Sequence, residues 1–251
     1  MELTIAVLLP DVLGTYSDAG NAVILAERAR RRGIATQVCT VTIADAPPRS
    51  ADIYVLGGGE DAAQQAAARW LLRHRMRDEL ADRHAVLAVC AGFQLLGTTI
   101  TDRDGRVLEG VGALDVTTSA GPRRAVGEVI ASATVSSIGE LTGFENHRGH
   151  TTLGPGVQPL AVPSRGTGNG TRRHGRPTEG ALTPTIVGTY LHGPVLARNP
   201  ALADHLLGIA TGQDLTPLDT PDQQAMRRAY LERRRRPPAL RGFLPRRYRA
   251  R

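Results

Sequence analysis

The run AVLAVCAGFQLLG, from Ala85 to Gly97, sets Cys90 at the end of an apolar stretch and follows it at once with Ala91 and Gly92. An apolar run of strand length that gives way to AGFQLLG places the thiol at the first turn of a helix. There, unpaired backbone N–H groups and the helix dipole favour the thiolate, the reactive form. Small residues after the cysteine permit a sharp strand-to-helix turn like the GxSxG nucleophile elbow, which holds its side chain clear at the sheet edge. The Ala91 N–H would then point toward an oxyanion formed on a bound substrate. A cysteine buried in the core fits the same position, so residue type alone leaves both roles open.

A thiol nucleophile needs a base, and the chain offers seven histidines. His74, His84 and His174 stand in strongly polar or arginine-rich surroundings and read as solvated. His205 falls inside the helical pattern ALADHLLGIA, where a satisfied, partly buried histidine fits best, and His147 and His150 in FENHRGHT could line a pocket or a turn. His192 differs: it directly follows the strand-like TIVGTY and precedes Gly193-Pro194, a strand end that could face the Cys90 turn. It is the best general-base candidate. Gly57-Gly58-Gly59 closes another apolar run, and a loop of bare N–H groups there could supply a second oxyanion donor.

What the chain lacks narrows the chemistry further. All 31 basic residues are arginine, so there is no Schiff-base lysine and no phosphate loop of the GxxxxGK[ST] type. Any ATP in the pathway is expected on another chain. Cys39 and Cys90 are too few for a disulfide framework and lack metal-ligand spacing, which suits a reducing compartment. The net charge of +7 is concentrated at one end: Arg233 to Arg251 carries nine arginines and no acid, leaving 22 arginines against 24 acids elsewhere. A solvated, disordered terminus is the plain reading of that segment, and attraction to an anionic membrane face is the alternative. No run approaches the roughly 18 apolar residues needed to span a bilayer, and the N-terminus lacks a basic segment before its short apolar stretch, so a cytoplasmic protein is expected.

The elements that must position these residues follow from periodicity. LTIAVLL (3–9), ATQVCTVTI (35–43), ADIYVLGGG (51–59) and HAVLAVC (84–90) have strand length and end in turn signals. Between them, SDAGNAVILAERARRRG shows a serine or aspartate cap, an apolar stripe and a terminal glycine, and EDAAQQAAARWLLRHRMRDELADR reads as one longer helix. Strands alternating with helices predict a doubly wound, mostly parallel α/β sheet, with ligands outside the carboxyl ends of its strands. GRVLEGVGALDV, RRAVGEVIASATV and ELTGFENHRG predict β-rich, antiparallel insertions, and 163–180 an exposed loop. TPTIVGTYLHG then reads as a strand, ALADHLLGIA as a helix, and PDQQAMRRAYLERRRR as a last helix. One domain over 1–232 and a basic tail over 233–251 are expected.

LGGGED (56–61), CAGFQLLG (90–97), GFENHRG (143–149) and YLHGP (190–194) together resemble the class I glutamine amidotransferases, in the branch that includes the cobyric acid synthase (CobB/CobQ-like) glutaminase domains. The likeness covers most of 3–210 and implies an α/β fold with a flavodoxin-like, doubly wound, mostly parallel sheet and β-rich insertions. With YSDAGN (16–21) near the start and VGTYLHGPVLARNP late, the chain is similar within that branch to the stand-alone GatD-type subunits of lipid II isoglutaminyl synthase. The resemblance implies that Cys90 attacks the side-chain amide of glutamine and that His192 moves the protons. It also implies that the N–H groups of Gly58 and Ala91 hold the oxyanion, that Arg124 binds the glutamine carboxylate, and that Gln94 of the CxGxQ motif helps form the pocket.

One departure stands out. The superfamily's usual triad has a glutamate two residues after the histidine, and that position is Pro194 here. The resemblance assigns the missing acid to a Mur-ligase-like partner (MurT-like), with Glu145 as a weaker substitute within the chain. It further implies that ammonia passes to this partner, which uses ATP to amidate D-glutamate of lipid II to D-isoglutamine. No cofactor or nucleic acid is expected on this chain, and the arginine tail could touch the membrane that carries lipid II. The competing expectations are a glutaminase for another synthetase, such as a cobyrinate-type amidation, a cysteine hydrolase on the same fold, and a non-catalytic binding module.

Overall fold

The computed structural model describes residues 2–81 and 84–235. Its first half alternates as the apolar periodicity predicts: β1 (Glu2–Leu8), α1 (Gly20–Arg30), β2 (Ala35–Val41), β3 (Ile53–Leu56), α2 (Asp61–Arg73), α3 (Arg77–Ala81), β4 (Ala85–Val89) and α4 (Ala91–Leu96). Then come β5 (Thr99–Thr101), β6 (Val107–Glu109), β7 (Val116–Ala133), β8 (Glu140–Leu153), β9 (Ala161–Arg165), β10 (Arg172–Arg173) and β11 (Arg176–Pro177). The chain re-enters the first sheet through β12 (Ala181–Leu182) and β13 (Ile186–Thr189), followed by α5 (Val195–Arg198), α6 (Pro200–Thr211) and α7 (Pro221–Arg235).

The principal sheet has the order β12-β13-β4-β3-β1-β2, parallel throughout except for β12 at its edge. β3, β4 and β13 are buried along their whole length, which is why they read as unbroken apolar runs rather than alternating ones. From β1 the chain steps outward to β2, then returns to β3 on the other side and proceeds to β4 and β13. Right-handed crossovers in opposite directions put their helices on opposite faces. The packing agrees: α1 contacts α5 and α6, whereas α2 contacts α4. Arg28 on α1 locks the first group by a buried, bidentate pair to Asp204 on α6, with both N···O distances 2.7 Å.

The β-rich insertions form the order β6-β5-β7-β8, with β9 on the other side of β7. β7 and β8 make a long antiparallel pair whose register shifts between Ala120 and Ala125, so 121–124 leave the ladder. Three expectations need correction. The predicted single helix after Gly59 breaks at Arg75, whose φ of +51° is non-helical, into α2 and α3. The segment read as an exposed loop buries Asn169, Thr178 and Glu179, because it pairs with the sheets: the Ala161 and Glu179 backbones bond to each other, as do Thr151 N–H and the Asn169 carbonyl. Finally, neither Ser17 nor Asp18 caps α1, whose N-cap residue is Ala19 without a side-chain bond.

The chain divides into two compact units, 1–217 and 218–251. In the second, the described residues form α7, which extends to Arg235 and so includes the first arginines of the basic tail. Residues 236–251, where most of that tail lies, are outside the described residues. Among the described residues no helix is long and apolar enough to cross a membrane.

Candidate active site

Four adjacent parallel strands, β13-β4-β3-β1, deliver the site. Three hand over a group just past their carboxyl ends, His192 after β13, Cys90 after β4 and Gly58 after β3, and the loop from β1 to α1 brings Asp18. β1 and β3 flank the point where the chain's direction of travel reverses, the place where an open sheet leaves a crevice.

Cys90 occupies the turn between β4 and α4 with φ +52° and ψ −106°, a conformation that a non-glycine residue adopts only under strain. Two backbone bonds secure it: the Cys90 N–H donates to the Thr189 carbonyl at 2.8 Å and the Gly92 N–H to the Gly57 carbonyl at 3.0 Å. Gly92 has to be glycine, since a Cβ there would sit 2.8 Å from the Leu56 Cβ and 2.9 Å from the Gly57 carbonyl oxygen. Ala91 is the first helical residue, where no intrahelical acceptor exists for its N–H.

His192 is pinned by antiparallel bonds to Phe144 of β8, at 2.8 Å from its own N–H and 3.2 Å to its carbonyl. The β8 hairpin thereby braces the histidine from the insertion side. Its ring lies 4.8 Å, centroid to centroid, from that of Tyr16, and is almost fully buried. On one edge of the ring, Nδ1 is 3.0 Å from Asp18 Oδ2. On the other edge, Nε2 is buried and has no hydrogen-bond partner among the described residues. Burial alone would lower the imidazole pKa, but the bond to Asp18 and the neighbouring Cys90 sulfur outweigh it and raise the pKa to about 9. The ring therefore has the basicity to hold the thiol's proton.

The convergence is tightest around Gly58. A Cβ on this residue would lie 2.8 Å from His192 Cε1, 3.3 Å from Asp18 Oδ2 and 3.4 Å from the Cys90 Cβ. The Gly58 N–H donates to Asp18 Oδ2 at 2.9 Å, so this donor is committed to the carboxylate rather than open to an oxyanion. The glycine run is thus needed for close approach, and its middle N–H holds the acid.

Cys90 and His192 open into a cavity of about 900 Å³ that Gln94 and Arg124 also line. Gln94 sits in a chain of side-chain bonds: it accepts from Gln64 at 2.6 Å and donates to the Tyr190 hydroxyl at 3.0 Å, which in turn contacts Thr151 Oγ1 at 2.6 Å. Arg124 projects from the register shift of β7 and donates to Asn146 Oδ1 at 2.5 Å, while Asn146 donates to the Tyr16 hydroxyl. His147 also lines the cavity and stacks on Tyr190 with centroids 3.7 Å apart. Glu145 does not reach His192. It faces His147 at 3.6 Å and accepts the N–H groups of Thr167 and Gly168; against its burial, these contacts hold its carboxyl below the ordinary range. Among the described residues no group of three or more histidine, cysteine or acidic side chains is arranged to hold a metal ion.

A strained strand-end thiol, a buried basic imidazole and an arginine in one cavity are the equipment of nucleophilic acyl transfer on a substrate with a carboxylate. The CobB/CobQ-like glutamine amidotransferase domain matches residues 4–200. The chain belongs to this family. It is 34% identical over 209 residues to the lipid II isoglutaminyl synthase (glutamine-hydrolyzing) subunit GatD of Staphylococcus aureus, covering 82% of this chain and 83% of that protein. The corresponding subunit of Streptococcus pneumoniae is 33% identical over 223 residues, covering 85% and 84%. The fold matches a glutamine amidotransferase of Thermotoga maritima with a TM-score of 0.52 at 13% identity, over 92% of this chain and 97% of that one.

The amidotransferase therefore brings together the sequence-selected Cys90, His192, Gln94, Arg124, Ala91 and Gly58, and adds residues that sequence reasoning passed over. Gln64 and Thr151 carry no distinguishing signal, and Tyr190 stands out only as the first residue of YLHGP. Asp18 carried a misleading one, because an aspartate two residues before a helix reads as a cap.

Proposed function

We propose that this amidotransferase is the glutaminase subunit of a lipid II isoglutaminyl synthase. The observation that carries the chemistry is the meeting of Cys90 and His192 at adjacent strand ends, in a cavity that also admits Arg124. The likeness to the two GatD subunits over more than four-fifths of the chain supports the pathway.

In this reading Arg124 takes the α-carboxylate of L-glutamine through a guanidinium fork. Cys90 Sγ, its proton held by His192, attacks the side-chain amide carbon. The oxyanion of the tetrahedral intermediate is met by the Ala91 N–H. His192 returns the proton to the departing nitrogen, so that ammonia leaves and a glutamyl thioester remains. His192 then takes a proton from water, hydroxide adds to the thioester carbon, and glutamate departs as the thiol is re-formed. Gln94, held between Gln64 and Tyr190, shapes the pocket wall. Ammonia passes to a MurT-like ligase that holds ATP and amidates D-glutamate in the peptidoglycan stem. The chain works in the cytoplasm, and the nine arginines of Arg233 to Arg251 favour attraction to the anionic inner face of the membrane.

The test is glutamate release by the purified full chain, alone and with a MurT-like partner, for wild type and Cys90→Ala. Release should be lost in Cys90→Ala, and the ligase chain should amidate lipid II with glutamine as nitrogen donor only when wild-type chain is present. Glutaminase activity that supports amidation of a cobyrinate-type acceptor but not lipid II would move the subunit to the other synthetases of its family. Absence of glutamate release under both conditions would remove the reading.

A further inference from the structure

Asp18 has no solvent exposure, yet no arginine is paired with it among the described residues; its carboxylate meets His192 Nδ1, at 3.0 Å from Oδ2 and 3.3 Å from Oδ1, and accepts the Gly58 N–H on Oδ2 at 2.9 Å. A buried carboxylate is costly unless it is hydrogen-bonded and paired with positive charge. Among the described residues the imidazole is the one neighbour that forms an ion pair with it. The chain also accepts strain to deliver it: Tyr16 and Ser17, the two residues before Asp18, both have φ +59°, in the left-handed region that favours glycine. A carboxylate only accepts hydrogen bonds, so the proton shared with Asp18 must sit on His192 Nδ1, leaving Nε2 to face the Cys90 side.

We infer that Asp18 is the positioning residue of the glutaminase site, fixing the tautomer and ring orientation of His192 from within the chain, so that glutamine hydrolysis needs no acid from a partner. This inference rests on the glutaminase reading. It places the orienting acid on the far side of the sheet's switch point, in the loop after β1, instead of two residues beyond the histidine, where Pro194 stands. The ionisable groups that face His192 are Asp18 and Tyr16 from the β1–α1 loop and Cys90 from the β4–α4 turn, while Phe144 of β8 contributes backbone bonds. The high basicity of His192 is consistent with this arrangement, since the Asp18 bond is the largest contribution that raises it.

The experiment compares the full chain with Asp18→Asn and Asp18→Ala, without any partner. Asparagine keeps the size of the side chain and an oxygen for the Gly58 N–H, and thermal melting checks that each variant folds. Three quantities are read: kcat and KM for glutamine, the pH dependence of Cys90 alkylation by a glutamine-like chloroketone, and the titration of the His192 ring by NMR. Asp18→Asn should lower kcat by about 10³- to 10⁴-fold, as loss of the orienting aspartate does in serine proteases, while KM stays within a few fold. The His192 midpoint should fall by more than one pH unit. A folded Asp18→Asn chain with wild-type kcat and an unmoved midpoint overturns the inference alone. Wild-type activity that appears only when the ligase chain is added also overturns it and leaves the glutaminase reading standing. A wild-type chain that neither releases glutamate nor is labelled at Cys90, with or without the ligase, overturns the reading and the inference together.

Discussion

Glu179 gives the sharpest test of how the fold holds its site, because a buried acid links stability to pH in a calculable way. Its Oε1 accepts the Thr189 hydroxyl at 2.5 Å and the Tyr190 N–H at 3.0 Å, while its Oε2 is buried and has no hydrogen-bond partner among the described residues. Burial raises this carboxyl from 4.5 to about 7, against the pull of the Thr189 hydroxyl and the backbone N–H groups of Tyr190 and Gly180. Between these two values the folded chain keeps a proton that the unfolded chain has released. Stability from this group is therefore fully present below pH 4.5 and is lost as pH rises through about 7. At about 1.4 kcal/mol per pH unit, the loss amounts to about 3 kcal/mol. Glu179→Gln removes the proton and keeps an oxygen for Thr189 and Tyr190. Chemical unfolding of the two proteins from pH 5 to 8.5 should show a difference that grows in favour of glutamine by about 3 kcal/mol, or about 6–12 °C in Tm for a domain of this size. His192 also loses its contribution as pH rises, from 6.5 through about 9, but it does so in both proteins and cancels in the difference. A difference that stays flat across this range, or that moves toward glutamate as pH rises, would refute the neutral buried acid.

Two further expectations follow from the site. Gly58→Ala puts a methyl 2.8 Å from His192 Cε1, so the ring must shift by several tenths of an ångström; kcat should fall by about 100-fold or more while stability drops by about 1–3 kcal/mol. Activity within threefold of wild type would show that the triad is looser than its geometry. Arg124→Ala removes a charge-assisted bond worth about 1.5–3 kcal/mol, so KM for glutamine should rise at least tenfold with kcat within a few fold; an unchanged KM would take Arg124 out of carboxylate recognition.

The sequence by itself determined the strands, because β3, β4 and β13 are buried on both faces and must read as apolar runs, and it singled out Cys90 and His192 because each follows such a run directly. Position at a strand end is a local property. Once the sheet is parallel, all its carboxyl ends share one edge, and so the pair could be guessed before any coordinates. Local patterning also separated the β-rich insertions from the helical first half. What the tertiary structure decided is long-range. Asp18 and His192 are 174 residues apart, and nothing in YSDAGN distinguishes a carboxylate that caps a helix from one that turns toward a histidine. The same holds for Gly58, whose need for hydrogen in place of a side chain arises only when three groups from three other loops crowd around it. Burial of Glu179 in a glycine-rich, polar segment was likewise invisible, because composition records the solubility of a segment and not the sheet edges it later covers. Periodicity encodes which face of an element is apolar; which polar groups meet across the sheet depends on strand order, and that is fixed only when the whole chain packs.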